Sequence, residues 1–208
     1  MAPPKKISTL DNIQEAAHDL FLSRGFSATS VDDICRQAKI TKGGFFHHFK
    51  SKECLAKSVL KRFCLTAREK MREAGCCENL SDPLERVFAS LDCVPSKFRG
   101  KTKRQGCLIT TFIQEMSQSN PEIQSMCVDG LKEWAAMLKK DLKLARDKYN
   151  PHLAVDINSL AEYCVAVVEG AQVLAKATGR RKAIDDSIGH LKQYLMFVFN
   201  LTKSRRVS

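Results

Sequence analysis

The chain has 208 residues, 44% of them hydrophobic, enough for one cored domain or a small module joined to a larger one. No apolar run approaches the roughly 18 residues of a membrane span. Met1 to Lys6 carries no apolar signal core, so a cytoplasmic protein without a membrane partner is expected. A net charge of +11 suits a polyanionic partner, while nine cysteines, odd in number and lacking any C-x-x-C pair, argue against a disulfide framework or a zinc site.

Ser8 to Arg24 is the first predicted helix, with Leu10, Ile13, Ala17, Leu20 and Phe21 along one face and Gly25 as its stop. Val31, Ile34 and Ala38 then recur at i, i+3 and i+7, an apolar stripe on a second helix. Ser30 is placed to cap it, with Asp32 and Asp33 at the positive end of its dipole. After a break, Thr41 is placed to cap a third helix from Lys42 to His48. That helix opens Lys42-Gly43-Gly44. Two glycines together cost roughly 2 kcal/mol of helix propensity, so packing explains them poorly. Their absent side chains let a helix N-terminus approach a phosphate or a base edge closely. Helix, corner and glycine-opened helix make a helix-turn-helix. Phe45 and Phe49, at i and i+4, read as core. His48 reads as packed inward, because adjacent histidines do not both face one interior.

Ser51 caps a fourth helix, which reaches about Ala74 and stops at Gly75. Asp82-Pro83 opens a fifth, limited by Pro95, and a basic loop follows from Arg99 to Gln105. The sixth spans Cys107 to Gln118. Asn120-Pro121 caps the seventh, which ends before Asn150-Pro151. His152 to Thr178 and Arg181 to Thr202 complete the chain. Nothing alternates as a strand does, so the expected fold is all-α with about nine helices. The helix-turn-helix domain is expected over residues 1–50 and a larger helical domain over 51–208, joined through the helix 51–74.

Leu20-Phe21, Gly25-Phe26, Thr29-Ser30-Val31, Ile40-Thr41-Lys42-Gly43, Phe46-His47-His48-Phe49 and Ser51-Lys52-Glu53 together resemble the DNA-binding domain of tetracycline-repressor-type (TetR) regulators. The resemblance implies a ligand-responsive bacterial transcription regulator, in the first instance a repressor. Its partners would be a palindromic double-stranded operator, a second copy of the chain and an unidentified small-molecule effector. Thr41 and Lys42 suit phosphate contacts, and Gly43 and Gly44 would lie in the major groove. Phe46 stands where the family has a tyrosine; the phenolic hydroxyl is lost and the ring is left for a thymine methyl. His47 and Lys52 match backbone contacts of the family, and Thr29 and Ser30 add phosphate contacts. Arg36 and Gln37 either reach DNA or form a solvated face.

The resemblance also implies a ligand pocket within the fifth to eighth helices. Phe88, Leu91, Phe112, Met116, Met126, Trp134 and Met137 are its candidate lining and Glu115 its polar contact; plain core and a surface ion pair are the competing readings. Ala161, Cys164, Val165, Val168, Ala171, Gln172 and Ala175 on the eighth helix form a small-residue stripe. Leu191, Tyr194, Leu195, Val198 and Phe199 form a bulky one on the ninth, and together they read as the four-helix-bundle interface of a homodimer. A second functional reading keeps the scaffold and makes Cys107, or Cys76 with Cys77, a thiol switch for oxidants or electrophiles. No nucleophile–base pair, Gly-rich phosphate loop or metal spacing is visible, so neither an enzyme nor a cofactor is expected.

Overall fold

A computed structural model describes residues 8–74, 80–96 and 106–201. Among the described residues the fold is all-α, with nine helices and no strand: α1 (Thr9–Arg24), α2 (Val31–Ala38), α3 (Lys42–His48), α4 (Lys52–Ala74), α5 (Pro83–Ser96), α6 (Leu108–Met116), α7 (Pro121–Tyr149), α8 (Ile157–Thr178) and α9 (Lys182–Val198). They build two compact units, one of Met1–Leu65 with Cys107–Val128, the other of Thr66–Gly106 with Asp129–Ser208. This division does not follow the boundary drawn after residue 50. The reason is packing: α1 rests on α6 as well as on α2, and Gln14 of α1 donates to Ser58 Oγ of α4 at 2.7 Å.

The first unit closes around side chains with essentially no exposure: Ile13, Phe21, Ile34, Phe45, Leu55, Leu60, Phe112 and Ile123. Phe21, Phe26 and Phe112 form an aromatic triangle with centroid separations of 5.5, 5.5 and 6.2 Å. Such pairs add about 0.5–1.5 kcal/mol each to the burial of their area. Phe45 and Phe49 are buried as their spacing predicts, whereas Leu10, expected on the inner face of α1, is 40% exposed in the first turn.

The second unit packs Leu84, Val87 and Leu91 of α5 and Leu138 and Leu142 of α7 against the facing sides of α8 and α9. Asp82 caps α5 through the Leu84 and Glu85 N–H groups at 2.8 and 3.1 Å. Its other oxygen accepts from Tyr149 Oη and, at 2.8 Å, from Lys148 Nζ. Arg86 Nε and Nη2 reach Asp141 at 2.9 and 2.7 Å.

Several boundaries move. α8 begins at Ile157 and not near His152, because Asp156 is the capping residue, accepting from the Asn158 and Ser159 N–H groups. α5 runs past Pro95 to Ser96, and α9 ends at Val198. Gly75, Cys76, Cys77 and the basic loop from Arg99 to Gln105 lie outside the described residues.

Candidate nucleic-acid interface

The corner between α2 and α3 is assembled from local hydrogen bonds. Ser30 Oγ accepts from the Asp33 N–H while Asp33 Oδ2 accepts from the Ser30 N–H, each at 3.1 Å, a reciprocal capping box. The Ser30 hydroxyl, its backbone N–H and the nearby Arg36 and Arg24 guanidinium groups hold the Asp33 carboxyl below its ordinary range. Lys39 turns the chain in the left-handed conformation at φ 56°, where a glycine is usual. There the Ile40 N–H closes back on the Cys35 carbonyl at 3.0 Å. Nothing in the sequence marks Lys39 for this conformation. Thr41 Oγ1 then accepts from the Gly44 N–H at 3.1 Å, capping α3.

The two glycines of α3 have no internal reason to be glycine. A Cβ on Gly43 would come no closer than 3.8 Å to Thr41 Oγ1, and one on Gly44 no closer than 3.5 Å, both ordinary contacts. The start of α3 is therefore a surface without side-chain bulk that internal packing does not require. Around it Thr41, Lys42, Phe46 and His47 are all exposed. Lys42 Nζ lies 2.9 Å from Asp32 Oδ1, and that hydrogen bond and charge raise the lysine pKa. Phe45 turns into the core and meets the Phe46 ring edge to face at 5.2 Å. His48, expected inward, is exposed beside His47, with ring centroids 5.1 Å apart. The C-terminal turn of α3 spends its buried positions on Phe45 and Phe49 instead.

Other expected contacts divide. Ser30 and Arg36 are exposed on α2, the Arg36 guanidinium 3.1 Å from Asp33 Oδ1. Gln37 is also exposed but donates to the Ala16 carbonyl at 3.4 Å. Thr29 is only 1% exposed and its hydroxyl donates to the Gly25 carbonyl at 2.7 Å, which removes it from any phosphate-binding surface. Lys52 points inward: its Nζ donates to the Phe26 and Thr29 carbonyls, each at 2.8 Å, and lies 4.1 Å from the Phe26 ring centroid. Its first task is to hold the α1–α2 turn. Glu115 holds the same turn, since its Oε2 accepts from the Ser27 N–H at 2.8 Å. Gly25 permits this close seat: its φ is +88°, and an added Cβ would stand 2.1 Å from Glu115 Oε1.

The residues expected to line the pocket that the family resemblance implies are divided between the two units. Phe112, Glu115, Met116 and Met126 belong to the first, and Phe88, Leu91, Trp134 and Met137 to the second. Phe112 and Met116 are buried core, and Glu115 serves the α1–α2 turn. In the second unit Leu91 is core, while Phe88 and Trp134 pack partly buried against it. The Trp134 Nε1 donor is buried without an acceptor among the described residues. A cleft of about 230 Å³ in this unit is lined by Asp82, Leu84, Glu85, Phe88, Tyr149, Met196 and Leu201, so Phe88 is its one expected residue.

Apart from Tyr194, the two stripes expected at the dimer interface are turned inward within one chain. Ala161, Cys164, Val165, Val168, Ala171, Gln172, Ala175, Leu191, Leu195, Val198 and Phe199 are all buried within one chain. They are the seam between α8 and α9, which pack against each other. A different stripe faces outward. On α8 it comprises Tyr163, Val173 and Leu174 at 47, 43 and 51% exposure; on α9, Tyr194 and Phe197 at 41 and 69%. Gly170 lies in the same stripe with open space beyond it. The spacing of 163, 170, 173 and 174 is helical and was readable; the buried stripe beside it masked it. Cys107, the candidate thiol switch, stands at the N-terminal boundary of α6 as its position predicts and is 7% exposed.

With the geometry in place, comparison with known proteins identifies the pattern. Residues 13–59 match the family model described as bacterial regulatory proteins, tetR family. Residues 83–189 match the C-terminal domain of LmrA/YxaF-like transcriptional regulators. The chain is 41% identical over 165 residues to the HTH-type transcriptional repressor KstR2 of Mycolicibacterium smegmatis, covering 74% of each. It is 25% identical over 189 residues to the repressor DhaR of a Mycobacterium strain, covering 90% of this chain and 89% of that one. The crystal structure of a TetR regulatory protein from Rhodobacter sphaeroides superposes with a TM-score of 0.79 at 20% identity, over 88% of this chain and 96% of the other.

Proposed function

The chain belongs to the TetR family of bacterial regulatory proteins, and from that premise we propose that it is a repressor working as an effector-released homodimer on a palindromic operator. It is a transcription regulator with a DNA-binding helix-turn-helix. The observation that carries the finer reading is the start of α3, where Gly43 and Gly44 leave space that folding does not require. The reading is that this surface enters the major groove, with Thr41, Lys42 and His47 on phosphates and Ser30 and Arg36 at the flank.

The homodimer is assigned to the outward stripe of Tyr163, Gly170, Val173, Leu174, Tyr194 and Phe197. Large apolar side chains exposed together on neighbouring helices favour burial against a like surface. Two copies of α3 that read one palindrome must reach successive major grooves, roughly 34 Å apart. The effector is assigned to the second unit, which holds the cleft at Phe88 and, apart from that cleft's lining, the Trp134 Nε1 donor buried without an acceptor among the described residues. Binding there would favour a conformer with mis-spaced α3 helices and lower operator affinity by linkage.

Gly43→Glu tests the groove assignment. An added Cβ at Gly43 makes only an ordinary contact with Thr41 Oγ1 in the fold, while the carboxylate it carries would face phosphates. The variant should keep wild-type helicity and melting temperature while losing at least about a hundredfold in operator affinity, on the scale of an unpaired charge in an interface. A variant that binds normally places α3 elsewhere. Trp134 is the single tryptophan of the chain, so its fluorescence reads titration with a panel of small apolar carbonyl compounds. Binders should shift its emission and release the operator together.

A further inference from the structure

Resting on the placement of α3 in the major groove, we infer that Phe46 reads the C5-methyl group of a pyrimidine in the operator. Phe46 is 54% exposed, the most exposed large hydrophobic side chain among the described residues of the first unit. In water such a ring contributes little to folding, since its burial is incomplete. It lies one helical turn beyond Lys42 and Gly43, on the same outward surface as the bare start of α3. The Phe45 ring, fully buried, meets it edge to face at 5.2 Å and 84°. That contact covers the ring from the core side and leaves its outer side free.

A phenyl ring has no donor or acceptor, so it makes no hydrogen bond with a phosphate, a sugar or a base edge. In the major groove the apolar group that complements it is a methyl at C5 of a pyrimidine. The polar work is already distributed around it, to the Thr41 hydroxyl, the Lys42 ammonium and the His47 imidazole. Phe46 is therefore a specificity-determining residue, and the methyl it reads belongs either to thymine or to 5-methylcytosine.

Selection of bound duplexes from a random library at fixed salt supplies the site. If no sequence is enriched, the DNA-binding reading itself fails, which is a different outcome from failure here. In the enriched site each thymine is replaced in turn by deoxyuridine, which removes only the methyl, and each cytosine by 5-methylcytosine. At one position in each half-site the methyl-bearing base should be bound about three- to tenfold more tightly, the worth of one or two buried methyl-sized groups. A response at thymine identifies thymine as the source; a response only at 5-methylcytosine identifies methylated DNA. Phe46→Ala should lose the methyl preference while melting at the wild-type temperature, and Phe46→Tyr, which keeps the ring, should retain it. The inference is overturned if no methyl affects wild-type affinity, or if Phe46→Ala keeps the wild-type preference.

Discussion

Lys52 and Glu115 approach one short turn with opposite charges, and each finds the backbone group that suits it. The ammonium takes the Phe26 and Thr29 carbonyls, and the carboxylate takes the Ser27 N–H. Charge-assisted hydrogen bonds of this kind contribute about 1.5–3 kcal/mol when shielded and less when exposed. Lys52→Met should therefore lower stability by about 1–3 kcal/mol, read as a fall in melting temperature, with the salt dependence of DNA binding unchanged. An unchanged melting temperature with a salt slope smaller by about one would return Lys52 to the phosphate backbone. Asp82 offers a pH test. Burial pushes its carboxyl up, but Lys148, Tyr149 and the Glu85 and Leu84 N–H groups outweigh this and bring it down to about 2. A depressed carboxylate stabilises the fold above its unfolded pKa and loses that contribution as pH falls through the folded one. Asp82→Ala should cost about 1 kcal/mol at pH 7, as a lost helix cap does. The difference from wild type should shrink between about pH 4 and pH 2; a constant difference would mean that the charge contributes nothing. The contacts of Lys52, of Glu115 and of Asp82 with Lys148 and Tyr149 were invisible in the sequence because each joins residues far apart, as Glu115 and Ser27 are.

Helices were far more legible than the contacts between them. The caps at Ser30, Thr41, Asp82 and Asn120 all hold the residues that their side chains and spacing predict, because capping is decided within four residues. α8 and α9 show where that locality ends. Both helices carry two apolar stripes, and periodicity alone does not say which one faces the same chain. Small residues such as Ala161, Cys164, Val168 and Ala171 suggest close approach, and close approach does occur, but between α8 and α9 of one chain. The outward stripe is aromatic-rich, with the Tyr163 and Tyr194 rings edge to face at 5.5 Å. Leu174→Asp, at a half-exposed position, should leave a single chain folded and helical but raise the dimer dissociation constant at least about tenfold, measured by analytical ultracentrifugation. Val165→Asp, on the buried stripe, should instead unfold the second unit. If Leu174→Asp remains fully dimeric at low concentration, the interface lies on another face.

The long helices α4 and α7 each begin in one compact unit and end in the other. The net charge of +11 predicts strong, salt-sensitive attraction to any duplex. Attraction alone is therefore not evidence of regulation. Among the described residues no helix is long and apolar enough to cross a membrane. What separates a regulator from a merely basic protein is discrimination between sequences of equal charge. The most direct measurement is the equilibrium affinity of the chain for a two-fold symmetric site selected from random DNA, or found upstream of its own gene, against a shuffled duplex of the same composition. At about 150 mM salt the symmetric site should bind at least about a thousandfold more tightly, with one dimer per duplex. Equal affinity for the two duplexes would contradict the account.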